Sequence, residues 1–351
     1  MYLILFILSI ANFLLKNDYF DIIIFVRGDF MIFEKQIIKT YKRIAFNRVD
    51  DKGTAFYFSY LDFPGLKAES FSFKSIHGHT LKGNFYFYEN YNPERLIIFD
   101  HGFGGGHRSY MKEIEKLCSF GFKVLAYDHT GCMESEGLTT NGMTTSLVDL
   151  NDCLKALKED EHFKSLDFSV IGHSWGGYST LNISKLHPDI SHIVVLSGFI
   201  SVKRLIKAFF GGLLKPYRKA IYKLEKNTNP DFVDFDAIET LNNSKVKALL
   251  IYSNNDMMCK KKDTYDVLYK NLSYKNNIQF ILLDNKGHNP NYTTEAVNYL
   301  NEYSKTKKKM KQQKLLETPD QKQKFVASFD WDKMTKQDEE VWQNIQNWLN
   351  N

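Results

Sequence analysis

Cysteine is scarce in this sequence, and the spacing of the few cysteines argues against two classes of site. The four are Cys118, Cys132, Cys153 and Cys259, and no two of them form a C-x-x-C pair. Paired spacings of that kind mark zinc sites and disulfide frameworks, so neither a metal site nor a disulfide framework is indicated. Isolated thiols suit a reducing compartment, and the sequence therefore predicts a cytoplasmic protein.

A strong imbalance of charge is also absent. The 46 Lys and Arg residues exceed the 41 Asp and Glu residues by a formal charge of +5, and no arginine-rich or RNA-type aromatic motif occurs. Nucleic acid is therefore not expected as a partner. With 351 residues, 28 of them Phe and 20 Tyr, the chain is long enough to bury a substantial core, as one large domain or two small ones.

The N-terminal apolar run is too short to cross a membrane by itself. Residues 1–15 are apolar and uncharged, whereas a spanning helix needs about 20 such residues. The run also lacks the basic start and the small-residue cleavage site of a signal peptide. One interpretation is a degenerate membrane anchor within residues 1–25. The preferred one is that residues 1–30 lie upstream of a true start at Met31, because residues 27–30 can be encoded by a purine-rich run resembling a bacterial ribosome-binding site.

Strand-like apolar runs alternate with helical patterns along most of the chain. The strand-like runs are residues 69–76, 80–88, 95–99, 122–127, 168–171, 193–196, 248–252 and 278–283. Helical patterns cover residues 32–46, 114–120, 147–157, 175–186 and 339–349. This alternation predicts an α/β fold with a mostly parallel sheet covered on both faces. A hairpin signal at residues 77–79 adds antiparallel strands at one edge.

Two segments are longer than the connections of such a sheet require. Residues 198–246 separate two strands and are interpreted as a small helical cap, at about 199–246. Residues 291–338 form an extended C-terminal region with no assigned purpose, and its basic run at 305–314 reads as a solvated helix face or linker.

The most informative motif is a Gly-x-Ser-x-Gly sequence formed by Gly172, Ser174 and Gly176. It follows an apolar run and precedes a helical pattern, and this strand–turn–helix context is the one that a nucleophile elbow demands. Glycine on both sides keeps the crowded turn free of side chains. Ser174 is therefore the candidate nucleophile.

A serine hydroxyl needs an adjacent base, which is itself oriented by a third group. His288 follows the final predicted strand, and Asp256 follows the strand before it. Each alone also reads as an ordinary turn residue. The order Ser174, Asp256, His288 along the chain is, however, the order that this kind of fold uses for a catalytic triad.

A glycine-rich loop, residues 101–107, follows the strand-like run at 95–99. Backbone N–H groups of Phe103 and Trp175 are the candidate donors of an oxyanion hole, which stabilises the charge of a tetrahedral intermediate. The alternative is a loop that cradles a phosphate. The loop lacks a following Gly-Lys-Ser/Thr, which argues against a Walker-type site.

Taken together, these motifs resemble the α/β-hydrolase superfamily, in the branch of serine-aminopeptidase-like and monoacylglycerol-lipase-like hydrolases. The resemblance covers about residues 69–350 and rests on residues 101–105, the turn at 128–137, the elbow at 172–177, Asp256 and His288. It implies one α/β-hydrolase domain over residues 31–351 with a helical cap. Thr130 and Met133 stand where many relatives have Arg and Gly, in a turn that is not catalytic.

The resemblance and the motifs predict a serine hydrolase that cleaves carboxylic esters through an acyl-enzyme, without metal or organic cofactor. The expected substrate is a small-molecule ester with an apolar acyl group, because apolar residues of the cap could line a pocket. The tentative substrate-binding residues are Ile200, Leu205, Phe209 and Phe210.

Three further hypotheses remain open from the sequence. An aminopeptidase would need an acidic group near the site to bind a free amine, and the cap offers Asp231, Asp234, Asp236 and Glu239. A non-catalytic ligand-binding member of the fold is another alternative, against which the complete triad argues. A weak contact with a membrane surface, through the basic cap segment at 203–226 or the N-terminal run, is the third.

Overall fold

The chain is organised on an eight-stranded sheet, seen in a computed structural model that describes residues 27–351. Its strands are β1 (Lys67–Lys74), β2 (Thr80–Phe87), β3 (Arg95–Asp100), β4 (Lys123–Tyr127), β5 (Asp167–His173), β6 (His192–Leu196), β7 (Lys247–Ser253) and β8 (Ile278–Leu283). The spatial order is β1-β2-β4-β3-β5-β6-β7-β8. Strands β3 to β8 pair in parallel, while β1 and β2 add antiparallel pairs at one edge. The predicted α/β fold class is confirmed.

Helices cover both faces of this sheet. They are α1 (Arg27–Ala45), α2 (Met111–Ser119), α3 (Thr145–Glu159), α4 (Trp175–Asn182), α5 (Val202–Phe209), α6 (Arg218–Thr228), α7 (Ala237–Asn242), α8 (Tyr265–Leu272), α9 (Thr294–Gln312), α10 (Pro319–Ala327), α11 (Trp331–Met334) and α12 (Glu339–Asn350). Helices α2 and α12 contribute to the core on one face, and α1, α3 and α4 to the core on the other. Residues 96–99 of β3 are fully buried, as expected for a strand covered on both sides.

Helix α1 begins at Arg27, earlier than the predicted 32–46, and packs against the segment interpreted as a cap. Its buried residues Ile37, Tyr41 and Ala45 recur every four positions and form one helical face. Residues 1–26, which carry most of the predicted N-terminal segment, lie outside the described residues. Within residues 27–351, no helix combines the length and hydropathy needed to cross a membrane.

The connection between β6 and β7 is a set of short helices, α5, α6 and α7. Helix α5 ends at Phe209, just before the pair Gly211 and Gly212, and a short 3-10 helix (Gly212–Tyr217) leads into α6. The first helix thus ends at the glycine pair, and Pro216 lies just before α6 begins. Glycine and proline at such positions predict breaks between helices. We refer to residues 198–246 as the insertion.

Residues 291–338, here the C-terminal region, fold into α9, α10 and α11 between β8 and α12. Four buried residues of this region form a small core of their own: Tyr303, Leu316, Phe325 and Met334. The region is therefore a packed helical unit, and the basic run at 305–314 lies mostly on the exposed face of α9.

Candidate active site

A strained turn lies between β5 and α4. Ser174 occupies this turn with φ 56° and ψ −105°, a backbone conformation that is unusual for a residue other than glycine. A Cβ atom on Gly172 would lie 2.2 Å from the carbonyl oxygen of Gly176. A Cβ atom on Gly176 would lie 2.0 Å from the carbonyl oxygen of Asp100. Steric exclusion thus explains both glycines of the motif.

The three predicted catalytic side chains meet beyond the carboxyl ends of β5, β7 and β8. Nε2 of His288 lies 2.8 Å from Oγ of Ser174, and Nδ1 of His288 lies 2.8 Å from Oδ2 of Asp256. Asp256 is buried and also accepts backbone N–H groups of Met258 (2.7 Å) and Cys259 (3.0 Å). The arrangement has the nucleophile–base–acid geometry that activates a serine hydroxyl.

The electrostatics of Asp256 favour an ionised carboxylate. Burial alone would raise its pKa, but the charge interaction and hydrogen bond with His288 and the two backbone donors hold the pKa below its usual value. An ionised Asp256 accepts a hydrogen bond from Nδ1–H of His288, which leaves Nε2 unprotonated and able to take a proton from Ser174. The imidazolium that forms would then be stabilised by the adjacent carboxylate.

The glycine-rich loop passes beside the elbow. The ring of Phe103 packs against the ring of Trp175, with centroids 5.2 Å apart, and Gly104 has φ 94°. Within residues 27–351, neither the Phe103 nor the Trp175 N–H donates to a backbone carbonyl. Both groups are thus free to bind a substrate oxygen, and their assignment to an oxyanion hole stays a prediction.

The turn after β4 holds this loop at both ends. Nε2 of His101 accepts the backbone N–H of His129 at 3.0 Å, and Asp128 accepts both the backbone N–H and Nδ1 of His107, each at 2.8 Å. Arg48 in turn donates to three carbonyl oxygens of the turn, those of Met133, Ser135 and Gly137. The turn therefore supports the site without touching Ser174.

A hydrogen-bond chain that the sequence reasoning missed connects the glycine-rich loop to His288. Gly102 N–H donates to the hydroxyl of Tyr110 (3.1 Å), which lies 2.8 Å from Nδ1 of His173, and Nε2 of His173 lies 2.7 Å from the backbone carbonyl of His288. Because a carbonyl only accepts, Nε2 carries the proton and Nδ1 accepts from Tyr110. Burial, together with the nearby His288, lowers the pKa of His173 to about 3, so the ring stays neutral. The position of His173 inside the motif was the available signal.

A cavity of about 340 Å³ lies between α5 and the loop that follows Asp256. Of the four tentative substrate-binding residues, Ile200, Leu205 and Phe209 line it. Phe210 does not line it: its side chain is buried, and its ring packs 6.0 Å from that of Tyr41. The structure therefore does not bring Phe210 together with the other three residues, and its substrate-binding role stays a prediction.

The opposite wall of the cavity includes Met258 and Cys259. Neither residue was predicted from the sequence to line a pocket. Cys259 brings the cavity close to the catalytic groups, since its sulfur and the donor atoms of Asp256 and His288 all lie within 4.8 Å of one another. Such a grouping could also hold a metal ion. In this structure, His288 forms hydrogen bonds with Asp256 and with Ser174.

Three of the four acids that could bind a free amine have other partners. Asp234 pairs with Lys226, Asp236 with Arg204 and Glu239 with Lys185. Asp231 is exposed, and none of the four lines the cavity. The carboxylate that does line it is that of Asp263.

The loop that carries His288 is held by the C-terminal region. The side chain of Lys286 is buried and donates to the carbonyl of Tyr292 (2.8 Å) and to the carboxylate of Asp338. Backbone N–H of Asp338 donates to the carbonyl of Asn291 (2.8 Å), whose side chain donates to Glu113 (3.0 Å). The region of unassigned purpose therefore contacts Lys286, two residues before His288, and begins three residues after His288.

Comparison with known proteins gives a partial sequence match and a broad structural one. Residues 91–237 match a family described as serine aminopeptidase, S33. A proline iminopeptidase of Saccharolobus solfataricus is 27% identical over 149 residues, which are 40% of this chain and 47% of that protein. The chain thus spans about half the length of this relative.

Two solved structures are similar over most of their own length. An esterase of Pyrococcus furiosus superposes with a TM-score of 0.55 and 20% identity, covering 76% of this chain and 98% of that one. An acetyl xylan esterase of Paenibacillus sp. R4 gives 0.50 and 18%, covering 74% and 89%. At these identities the likeness is one of fold.

Proposed function

We propose that the chain is a hydrolase of the α/β-hydrolase superfamily, and specifically a serine hydrolase that cleaves carboxylic esters through an acyl-enzyme on Ser174. The observation that carries the proposal is the continuous Ser174–His288–Asp256 contact, at 2.8 Å on both sides of the imidazole. This is the nucleophile–base–acid geometry that activates a serine hydroxyl for attack on a carbonyl carbon.

The geometry supports a two-step reaction. Oγ of Ser174 bonds to the ester carbonyl carbon while Nε2 of His288 takes its proton, and Asp256 stabilises the resulting imidazolium. Backbone N–H groups of Phe103 and Trp175 would bind the oxyanion. The imidazolium then protonates the leaving alcohol, and the acyl group stays on Ser174. Water, deprotonated by His288, attacks the acyl-enzyme and releases the acid.

The cavity supports an apolar acyl group as the part of the substrate that the protein recognises. Its walls are mainly apolar side chains of α5 and the Met258–Cys259 loop. A volume of about 340 Å³ is in the range of pockets that take small organic ligands. The polar groups Arg204, Lys260 and Asp263 also line it and could meet the rest of the ester.

A second candidate is release of N-terminal residues from peptides. It is favoured by the match of residues 91–237 to the serine aminopeptidase family and by the proline iminopeptidase relative. In the structure, Asp263 is the carboxylate that could bind the free amine of such a substrate. The four acids predicted for this role face other partners or solvent, which makes the ester the better-supported substrate.

The test combines covalent labelling with a paired substrate screen. We expect a fluorophosphonate probe to label the protein and to leave Ser174→Ala unlabelled. We also expect p-nitrophenyl esters of rising chain length to be hydrolysed faster than aminoacyl anilides. Faster turnover of the anilides would favour the peptidase, and an unlabelled, inactive wild-type protein would favour a non-catalytic binding protein.

A further inference from the structure

One short part of the insertion carries more net positive charge than the whole chain does. Residues 203–226 contain eight basic residues and one acid, Glu225, which is buried. The rest of the chain has 38 basic and 40 acidic residues, a net charge of −2, although the whole chain carries +5. Residues 203–226, here the cationic face, are therefore strongly cationic, as is the separate basic run at 305–314 on α9.

Four lysines of this cationic face are exposed to solvent and have no counter-charge among the described residues. Lys207, Lys215, Lys219 and Lys223 are exposed, and none makes an ion pair with a carboxylate within residues 27–351. Lys219 and Lys223 lie one helical turn apart on α6, and Lys215 lies in the 3-10 helix before it. Their charge is thus available to an external partner.

An apolar tip lies among these lysines and beside the mouth of the cavity. Leu213 is 68% exposed, between Gly212 and the rest of the 3-10 helix. Ala208 and Gly211 are exposed and also line the cavity. The segment that carries the lysines and Leu213 therefore also forms part of the wall of the candidate acyl pocket.

We propose that this cationic face docks on an anionic phospholipid bilayer, with the cavity mouth turned towards the lipid. Anionic headgroups match the unpaired lysines, and each lysine near such a surface strengthens binding roughly fivefold. Leu213 can enter the boundary between headgroups and acyl chains, as apolar side chains of interfacial helices do. A nucleic acid or an acidic protein matches the charge, but neither offers an apolar layer for Leu213.

Helix α1 fixes the insertion to the rest of the fold. It packs on the insertion through Tyr41, which contacts Phe210 and donates to Glu225. Docking would let an ester pass from the bilayer into the cavity, a consequence that rests on the proposed function.

The experiment is co-sedimentation of the full chain with vesicles of phosphatidylcholine alone or of phosphatidylcholine with about 30% phosphatidylglycerol, whose anionic headgroups give the surface a negative potential. We expect binding to the anionic vesicles, loss of that binding as salt rises, and little binding to phosphatidylcholine. The triple change Lys215→Glu, Lys219→Glu, Lys223→Glu should weaken binding at least tenfold. The matched control is Lys305→Glu, Lys308→Glu, Lys309→Glu on α9, which changes the charge equally on another exposed helix and should bind as the wild type does.

A second pair of variants tests the apolar tip without changing charge. Leu213→Ser should weaken vesicle binding several-fold, whereas Leu138→Ser, at a leucine that is 92% exposed elsewhere, should not. Equal loss in both lysine triples, no vesicle binding by the wild type, or tighter binding to duplex DNA than to vesicles would overturn the proposal. Because binding needs no turnover, repeating it with Ser174→Ala separates failure of docking from failure of the esterase.

Discussion

The insertion and the C-terminal region are both additions to the same sheet, yet they meet the active site in different ways. The insertion carries exposed cations and lines the cavity through α5, so it contacts the proposed acyl site. The C-terminal region has its own small core and contacts Lys286, two residues before His288, so it supports the loop of the proposed base. Under the proposed function, the insertion would select the substrate and the C-terminal region would position the base.

The means of attachment are, by contrast, alike. One contact that attaches each addition involves a buried glutamate: Glu225 of the insertion accepts from Tyr41 and from the backbone of Met143, and Glu113 of α2 accepts from Asn291 of the C-terminal region. Burial raises the pKa of both carboxyls to about 7. Different tasks are thus served by the same kind of polar junction.

The largest expected effect is that of changing Asp256, the acid of the proposed triad. Asp256→Asn should lower kcat by about 10⁴-fold, because the amide favours the wrong tautomer of His288. The matched control is Asp284→Asn, since Asp284 follows β8, is exposed and bonds to Asn254 rather than to the base. Steady-state kinetics on a short ester would measure both. A larger loss in the Asp284 variant would reassign the acid.

The two glutamate junctions give the next largest effect, on stability. Each folded-state pKa of about 7 lies above the ordinary value of 4.5, so the folded protein holds a proton that the unfolded chain has lost between these pH values. The free energy of unfolding contributed by each group should therefore fall by about 3 kcal/mol as pH rises from 4.5 to 7, and stay constant above that.

Urea unfolding at pH 5 and pH 8 tests this expectation. The decrease in the free energy of unfolding between these pH values should be smaller in Glu225→Gln and in Glu113→Gln than in the wild type. Glu239→Gln, at an exposed ion pair with Lys185, should leave the decrease unchanged. If only one junction variant differs from the wild type, the two additions are not attached alike and the comparison breaks at that point.

The catalytic face of the fold could be predicted from sequence because its constraints are local. Sterically forced glycines around Ser174 leave a readable motif, and strands that are buried on both faces leave continuous apolar runs, so β8 was predicted to its exact bounds, residues 278–283. The contacts of His173 and Lys286 could not be predicted in the same way. Their partners are 115 and 52 residues away along the chain, and no periodicity records such a distance.

A smaller effect should separate entry from chemistry. Phe209→Trp places a larger ring in the cavity, so we expect kcat/KM for a dodecanoate ester to fall about tenfold while that for an acetate ester stays unchanged. Phe33→Trp, at a partly exposed ring on α1, is the control. Equal loss on both esters would mean that the cavity does not receive the acyl chain, and the insertion would lose its assigned role.

The smallest effect is expected at the attachment of the base. Lys286→Met keeps the apolar stem of the side chain but removes its bonds to Asp338 and to the carbonyl of Tyr292. The loop that carries His288 should then occupy its productive position less often. We expect kcat to fall about fivefold for every ester alike, roughly 1 kcal/mol in activation free energy, with KM little changed. Lys261→Met, which breaks an ion pair with Asp266, should leave kcat as it is.

A double-mutant cycle shows whether Lys286 and Asp338 act together. If Lys286 and Asp338 hold the base loop as one unit, Lys286→Met combined with Asp338→Asn should cost no more than the larger of the two single changes. Measuring kcat of each variant on esters of several chain lengths gives these losses. Additive losses, or a loss that grows with chain length as in Phe209→Trp, would show that the C-terminal region also meets the substrate, and the two additions would then no longer differ in task.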